Sequence, residues 1–225
     1  MAAAPFRISA RKILEDPLAY LPWTRIASYH KGETIYGPNQ PCHGISLVVE
    51  GKVITYRNSD TGKRFVVDIY GPEEIFGLCS LVGIVKGPEE TVAFGNTKIM
   101  TWTPVEVEQL ATHKPQLALA LVQALAARSL DYSRAIARGP VESIEPRLLR
   151  ALLRFGQRFG VQNQDGLIHI PAFTHQLLSE HMGTSRVIIS RAMNHFRRGG
   201  LMRYSRKEIC LDTLAIKAWL PEAHR

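Results

Sequence analysis

The sequence lacks several features that are typical of secreted proteins, of membrane-spanning proteins and of small domains stabilised by a metal ion. It has three cysteines, Cys42, Cys79 and Cys210, which lie far apart and form no C-x-x-C pair. The sequence therefore indicates neither a disulfide framework nor a zinc finger. No run of about 18 apolar residues is present to cross a membrane. The first residues, MAAAPFRISARKI, lack the basic-then-apolar order of a secretory signal. We therefore expect a protein of the reducing cytoplasm that makes no membrane contact.

Common catalytic motifs are missing as well. The chain contains no G-x-S-x-G, no P-loop, no H-E-x-x-H and no paired carboxylates at a spacing typical of catalysis. The sequence thus predicts a protein that is not an enzyme. It indicates no metal and no cofactor, and it leaves open a small-molecule effector of unknown identity.

Positive charge is in excess, and its distribution along the chain is uneven. The formal net charge is +8 at pH 7. Residues 1–139 contain 15 Lys and Arg against 13 Asp and Glu, whereas residues 140–225 contain 13 against 7. An excess concentrated in one segment is typical of a phosphate-binding surface, although it can also serve solubility alone.

Residues 31–102 have the pattern of short β-strands joined by turns. Apolar, β-branched runs alternate with turn sequences such as Glu50-Gly51 and Gly71-Pro72. Strands this short at this even spacing predict an all-β barrel or sandwich. Because helical patterns follow, we predict an α+β fold. Its parts are a jelly-roll β-barrel over residues 1–114, a long helix over residues 115–139, and a winged helical domain over residues 140–225.

One long helix is predicted from Pro115 to Ala137, ending at Gly139-Pro140. Some of its side chains recur with alternating spacings of four and three, the rhythm of paired helices. This seam consists of Ala118, Val122, Leu125, Ser129, Tyr132 and Ile136. Leu117 and Leu121 lie beside the seam, so one side of the helix is free for the barrel and another for a second copy of the chain. We predict a homodimer; the alternative is a single buried helix in a monomer.

The segment from Phe173 to Phe196 has the pattern of two short helices joined by a tight turn. Thr174 is placed to cap the first helix, Gly183 to make the turn, and Thr184 or Ser185 to cap the second helix. The residues of the second helix expected to face a core are Val187, Ile188, Ala192 and Phe196. The polar side left over predicts a helix-turn-helix whose second helix enters the major groove of DNA. The alternative is a helical hairpin with a solvated polar side.

The segments on either side complete a winged domain. Before the helix-turn-helix, Ser143 is placed to cap a helix that carries a stripe of arginines: Arg147, Arg150, Arg154 and Arg158. The stripe is predicted to be a solvated face; the alternative is a supporting role near phosphate. After the helix-turn-helix, Leu201-Met202 and Ile209 to Leu211 are predicted as two short strands around a basic turn. These strands form the wing.

Taken together, the two halves resemble the CRP/FNR family of bacterial transcription regulators. KGETIY (31–36), SLVVEGKVITY (46–56) and GPEEIFG (71–77) are similar to the usual sequence of the cyclic-nucleotide-binding fold. LLSEHMGTSRVIISRAMNHFRRGGLM (177–202) closely resembles the family's DNA-binding motif. The resemblance covers residues 25 to 215 or so. It implies a sequence-specific transcription regulator that binds a pseudo-palindromic site as a homodimer, with double-stranded DNA, a second copy of itself and RNA polymerase as partners.

The resemblance and the exposed polar pattern together give a set of candidate DNA-binding residues. They are Thr174, His175, Thr184, Ser185, Arg186, Val187, Ser190, Arg191, Asn194, Arg206 and Lys207. Arg186 suits paired hydrogen bonds to guanine O6 and N7. Val187 stands where the family usually has a Glu that accepts from a cytosine amine. A Val side chain reaches at most a thymine methyl, so no half-site sequence is predicted.

The candidate effector pocket departs from the cyclic-AMP-binding pattern. The resemblance places it at Gly77, Leu78, Cys79, Glu89, Glu90, Tyr132 and Ser133. Members that bind cyclic AMP have a Glu where this chain has Leu78, and an Arg-Ser pair where it has GPEET (87–91). Because Glu89 and Glu90 would repel a cyclic phosphate, we expect that cyclic AMP is not the effector. The alternatives are a ligand-independent regulator controlled by its expression level, and a redox-sensing or haem-sensing member in which Cys79 acts.

Overall fold

The structure is a computed structural model that describes residues 15–59, 62–83, 89–138, 142–163 and 165–220. The predicted helix stop at Gly139-Pro140, the middle of the 59–62 loop and the first two residues of GPEET lie outside these ranges. The chain divides into two compact units: described residues up to 131 form the first and those from 132 onward form the second. No helix in the described part of the chain is long and apolar enough to cross a membrane.

Eight strands lie in the described residues of the first unit. They are β1 (Ile26–Tyr29), β2 (Thr34–Tyr36), β3 (Ile45–Glu50), β4 (Val53–Asn58), β5 (Arg64–Tyr70), β6 (Ile75–Phe76), β7 (Glu89–Ala93) and β8 (Thr97–Trp102). They pair in two four-stranded sheets, with the orders β1-β8-β3-β6 and β2-β7-β4-β5. The paired neighbours are antiparallel. The predicted β fold is confirmed, and its hydrogen bonds join the strands as a double sheet instead of a closed barrel.

Two apolar clusters hold the double sheet together. The cluster between the sheets takes side chains from both of them: Ile35, Tyr36, Cys42, Val48, Val53, Tyr70, Phe76 and Ile99. The second cluster lies on the other face of the first sheet and consists of Leu21, Ile45, Leu47, Met100, Trp102, Val107, Leu117 and Leu121. Successive side chains of a strand point to opposite faces, so β3 contributes Ile45 and Leu47 to one cluster and Val48 to the other.

Two helices follow the sheets, α1 (Pro104–His113) and α2 (Pro115–Arg138). The side chain of Thr103 accepts from the Glu106 N–H, while Glu106 accepts from the Thr103 N–H, which makes a capping box at the start of α1. On α2, Leu117 and Leu121 are buried against the first sheet. The expected barrel-facing side of the long helix is therefore present.

The described residues of the second unit contain the end of α2, four further helices and a small sheet. Beyond the end of α2 its elements are α3 (Ile144–Phe159), β9 (Val161–Gln162), β10 (Leu167–Pro171), α4 (His175–Met182), α5 (Arg186–Arg198), β11 (Met202–Tyr204), β12 (Glu208–Asp212) and α6 (Thr213–Trp219). The sheet order is β11-β12-β10-β9. The wing strands β11 and β12 match the prediction, whereas β9 and β10 were not predicted.

The arginine stripe of α3 is not simply solvated, which corrects the prediction. Arg150 Nη2 lies 3.2 Å from Glu142 Oε1, and the Arg150 side chain is only 19% exposed. Arg154 Nη2 lies 3.3 Å from His181 Nε2 on α4. The long arginine side chains extend along the surface to partners on neighbouring segments, which the spacing within α3 alone does not reveal.

Arg128 ties α2 to both sheets of the first unit. Its Nη2 lies 3.2 Å from Asp68 Oδ2 on β5, and the Asp68 side chain is 7% exposed. Its Nη1 donates to the Ile75 carbonyl on β6 at 3.2 Å. The guanidinium also lies 4.4 Å from the centre of the Tyr70 ring. The planar guanidinium thus meets a carboxylate, a carbonyl and an aromatic face at once.

We expect Arg128→Met to lower the free energy of unfolding by about 3 kcal/mol, because it removes the guanidinium that lies 3.2 Å from the buried Asp68 carboxylate. Urea unfolding at fixed protein concentration measures this change. The matched control is Lys98→Met: Lys98 pairs with Glu50 at 2.8 Å, but both side chains are more than half exposed. The control should change the free energy by less than about 0.5 kcal/mol. Equal losses in the two variants would contradict the anchoring role of Arg128.

Candidate nucleic-acid interface and sensor site

A helix, a glycine turn and a second helix form the helix-turn-helix. Thr174 Oγ1 accepts from the Leu177 N–H at 3.1 Å and caps α4. Gly183 ends α4 in the left-handed region, with φ of 65°, where a residue without a Cβ is favoured. Of the two candidate caps of α5, Ser185 is the one used: its Oγ accepts from the Ile188 N–H at 3.3 Å. The turn is therefore fixed at both ends.

The face that α5 turns to the core differs from the predicted one. Its buried residues are Ile189, Ala192, Met193 and Phe196. Val187 is 67% exposed and Ile188 is 42% exposed. The prediction that these two face the core is wrong, because Ile189, Ala192, Met193 and Phe196 follow the helical repeat of three and four residues. Val187 instead shares the exposed surface with Arg186 and Arg191.

Polar contacts brace α4, α5 and β11 behind this surface. His175 Nδ1 lies 2.8 Å from Ser190 Oγ, and the Tyr204 hydroxyl donates to Asn194 Oδ1 at 3.1 Å. The His175 and Tyr204 rings meet edge to face, with centres 5.8 Å apart. Burial, and then the charge of Arg186, lower the pKa of His175. The imidazole is therefore held more firmly in its neutral form than a free histidine.

The wing supplies further positive charge. Arg206 and Lys207 are exposed in the turn between β11 and β12. Ser205 Oγ accepts from the N–H groups of Lys207 and Glu208, at 3.1 and 3.2 Å, and so fixes the turn. Arg197, which was not among the predicted site residues, lies with its guanidinium 5.5 Å from the centre of the Tyr204 ring. Its position in the RR pair before Gly199 was the available sequence signal.

The Lys, Arg, Asp and Glu residues of α5 are all arginines. The helix holds Arg186, Arg191, Arg197 and Arg198 and has no Asp or Glu. Thr184 is half-buried in the turn that precedes it. A helix end that presents arginines without carboxylates, beside a basic turn, is suited to contact phosphates and base edges.

The candidate effector residues separate into three places. Gly77, Leu78 and Cys79 form the junction between β6 and a short 3₁₀ helix, Leu78–Val82. Glu89 is close enough for its charge to act on Cys79. Glu90 Oε2 instead pairs with Arg64 Nη2 at 3.1 Å, since consecutive strand residues point to opposite faces. Tyr132 and Ser133 are exposed on α2 in the second unit.

The effector junction also contains a residue that sequence reasoning missed. Cys42 Sγ lies 3.6 Å from the Gly77 carbonyl oxygen, and the Cys42 side chain is close enough to Cys79 to lower the pKa of the Cys79 thiol. Gly77 has φ of 76°, and a Cβ there would lie 2.6 Å from the Gly44 carbonyl oxygen. The backbone therefore requires glycine at this position.

The predicted dimerisation seam of α2 is solvent-exposed in the single chain. Ala118 and Ser129 are exposed. The large apolar members are exposed too: Val122 by 60%, Leu125 by 43% and Ile136 by 74%. A helix that buries one side on a sheet and leaves an apolar seam in water presents a surface for another protein.

Comparison with known proteins identifies both halves. A cyclic nucleotide-binding domain model matches residues 26–114, and a Crp-like helix-turn-helix domain model matches residues 146–215. Between them they match more than half of the chain. The global nitrogen regulator of Synechococcus elongatus is 27% identical over 188 residues, which are 82% of this chain and 84% of that protein.

Two further similarities extend along both units. The CRP-like cAMP-activated global transcriptional regulator of Mycobacterium tuberculosis is 23% identical over 186 residues, 82% of each chain. The solved structure of FixK2 from Bradyrhizobium japonicum superposes with a TM-score of 0.76 and 22% identity, covering 91% of this chain and 100% of that one. With a cyclic-nucleotide-binding fold followed by a Crp-like helix-turn-helix, and with these relatives, the chain belongs to the CRP/FNR family of DNA-binding transcription regulators.

Proposed function

We propose that the protein is a homodimer that reads a pseudo-palindromic DNA site with α5 of each subunit. The observation that carries the proposal is the exposed surface of α5, which presents Arg186, Val187 and Arg191 from a helix-turn-helix whose two helices are both N-capped by side chains. Such a helix lies in the major groove with its N-terminal residues against base edges. Two copies related by a twofold axis would meet half-sites about 34 Å apart.

The proposed contacts fall into those that read bases and those that hold phosphates. Arg186, in the first turn of α5, is proposed to read guanine, and Val187 beside it to meet a thymine methyl. Ser190 and Asn194 are already hydrogen-bonded to His175 and Tyr204, so their main proposed role is to keep α5 at a fixed angle. Thr174, Thr184 and Ser185 lie around the helix N-termini, where phosphates bind well. Arg206 and Lys207 are proposed phosphate contacts from the wing.

Arg186→Ala should lower affinity for the preferred site by about 1–3 kcal/mol and relax the preference at one base position. The preferred site is first selected from a random duplex pool, and binding is then measured by fluorescence anisotropy on that site and on single-base variants. An equal loss on all sequences would instead make Arg186 a phosphate contact.

The matched comparison is Lys207→Ala in the wing. It should weaken binding to all sequences alike and reduce the slope of log affinity against log salt by about 1, because one phosphate contact and its released counterion are lost. A changed base preference in this variant would contradict the proposed division between helix and wing.

The exposed seam of α2 supports the proposed homodimer. Its members lie on one side of the helix, about a quarter-turn from the sheet-facing Leu117 and Leu121. Pairing with the same seam of a second copy would bury Val122, Leu125 and Ile136 and would place the two winged units on the same DNA. The alternative is a monomer in which the seam stays in water.

Leu125→Glu should dissociate the dimer, because a twofold interface would bring two unpaired carboxylates into an apolar seam. The expected loss of dimerisation free energy is about 3 kcal/mol, which raises the dimer dissociation constant roughly 100-fold. Sedimentation velocity measures this constant. Leu130→Glu is the matched control, since Leu130 is 55% exposed on the same helix but away from the seam. If both variants, or neither, become monomeric at the same concentration, the proposed seam is wrong.

Fewer observations support the proposals for the effector and for the remaining partners. Leu78 and the charge of Glu89 beside Cys79 support an effector other than cyclic AMP, although one relative is named as cAMP-activated. Control by expression level, without a ligand, is the alternative. RNA polymerase as a partner and the cytoplasm as the location follow from the proposed role at promoters. We propose no enzymatic activity.

A further inference from the structure

Strand pairing brings Cys42 and Cys79 to the same end of the first sheet. β3 and β6 are antiparallel, with Ser46 opposite Phe76. Cys42 precedes β3 by a few residues, and Cys79 follows β6 by a few residues. In an antiparallel pair, the residues before one strand lie beside the residues after its neighbour, at the same end of the pair. The two cysteines are therefore neighbours although they are far apart along the chain.

The contacts around Cys42 fix this arrangement. Its Sγ lies 3.5 Å from the Gly44 carbonyl oxygen and 3.6 Å from that of Gly77. A Cβ on Gly77 would lie 3.2 Å from this sulfur, so the Gly77 backbone packs closely against the Cys42 thiol. Cys42 is 3% exposed. Cys79 packs against the same apolar cluster that contains Cys42 and is only half-buried.

The two thiols differ in acidity. A hydrogen bond from Cys42, together with the backbone N–H groups of Cys79 and Ser80, lowers the pKa of Cys79 to about 7, against the opposing effects of burial and of Glu89. The same hydrogen bond, with burial, raises the pKa of Cys42. The thiolate is the reactive form of cysteine. At neutral pH Cys79 is thus the nucleophile, and Cys42 is a thiol held beside it.

We propose that Cys42 and Cys79 form a hydroperoxide-reactive dithiol, in which Cys79 is oxidised first and Cys42 closes an intramolecular disulfide. This assigns the redox-sensing alternative a specific site. The described residues contain no group of three or more His, Cys, Asp and Glu side chains that could hold a metal ion. The arrangement of one half-buried and one buried sulfur is suited to two-electron thiol chemistry.

The oxidation balances in two steps. The Cys79 thiolate attacks one oxygen of a hydroperoxide, ROOH; the O–O bond breaks, an S–O bond forms, and the alkoxide takes a proton from water to leave as ROH. The Cys42 sulfur then attacks the resulting sulfenic acid; an S–S bond forms, the S–O bond breaks, and the Cys42 proton leaves with the hydroxyl group as water. Two electrons pass from the thiols to the hydroperoxide, and a dithiol such as dithiothreitol returns them.

The proposal concerns the first unit alone and is independent of the proposed DNA contacts. The reduced full-length protein is treated with one to five equivalents of hydrogen peroxide at pH 7, alkylated with iodoacetamide and digested. Mass spectrometry should find the Cys42–Cys79 peptide pair joined, two mass units lighter than the two free peptides. Cys210 serves as an internal control, because it is buried in the second unit and should stay reduced, so that iodoacetamide added after unfolding alkylates it.

Variants separate the two roles. Cys42→Ala should accumulate the Cys79 sulfenic acid, which dimedone traps, and should raise the pKa of Cys79, since the hydrogen-bond donor is lost. Cys79→Ala should leave Cys42 unoxidised. Cys210→Ala should behave as wild type. Far-ultraviolet circular dichroism confirms that each variant is folded.

The wild-type protein gives a measurement that does not depend on the folding of any variant. The rate at which Cys79 reacts with iodoacetamide should rise with pH with a midpoint near pH 7, because the thiolate is the reactive form and the pKa of Cys79 is about 7. Three outcomes would overturn the proposal: no Cys42–Cys79 peptide at five equivalents of peroxide, a disulfide only between chains, or a midpoint of Cys79 alkylation above about pH 8.

Discussion

Strand β3 is buried on both faces, and this double burial organises the first unit. Ile45 and Leu47 pack with Leu117 and Leu121 of α2, while Val48 packs between the sheets. Because a shift of one residue would exchange the two faces, the register of β3 with β8 and β6 is strongly specified. The position of α2, and the meeting of the loops before β3 and after β6, both follow from that register.

In the second unit, the surface proposed for DNA is held in place by polar contacts behind it. Ile189 and Phe196 anchor α5 in the core, while the His175–Ser190 and Tyr204–Asn194 hydrogen bonds fix its angle to α4 and the wing. The apolar contacts supply the stability and the directional hydrogen bonds supply the orientation. Side chains on the outer face can then vary without disturbing the support.

Local sequence patterns were enough to predict much of this structure. Most of the features that they missed depend on contacts between residues far apart in the sequence. The capped turn at Gly183, the wing strands and the two-sided α2 follow from residue types at fixed spacings. The burial of Ile189 instead of Ile188 could not be predicted in this way, because a helix in which three consecutive residues are apolar has no unique apolar side. The short strand β10 and the partners of Arg150 and Arg154 depend on neighbours in space. So does the Cys42–Cys79 pair, which only the register of β3 and β6 reveals.

The left-handed backbone conformation of Gly77 restricts which substitutions this junction can accept. A side chain at this position would collide with the Gly44 carbonyl, so the path of the loop is closed to change by substitution. A change in the chemistry of this junction therefore has to come from the side chains around a fixed backbone, at positions such as 78, 79 and 89.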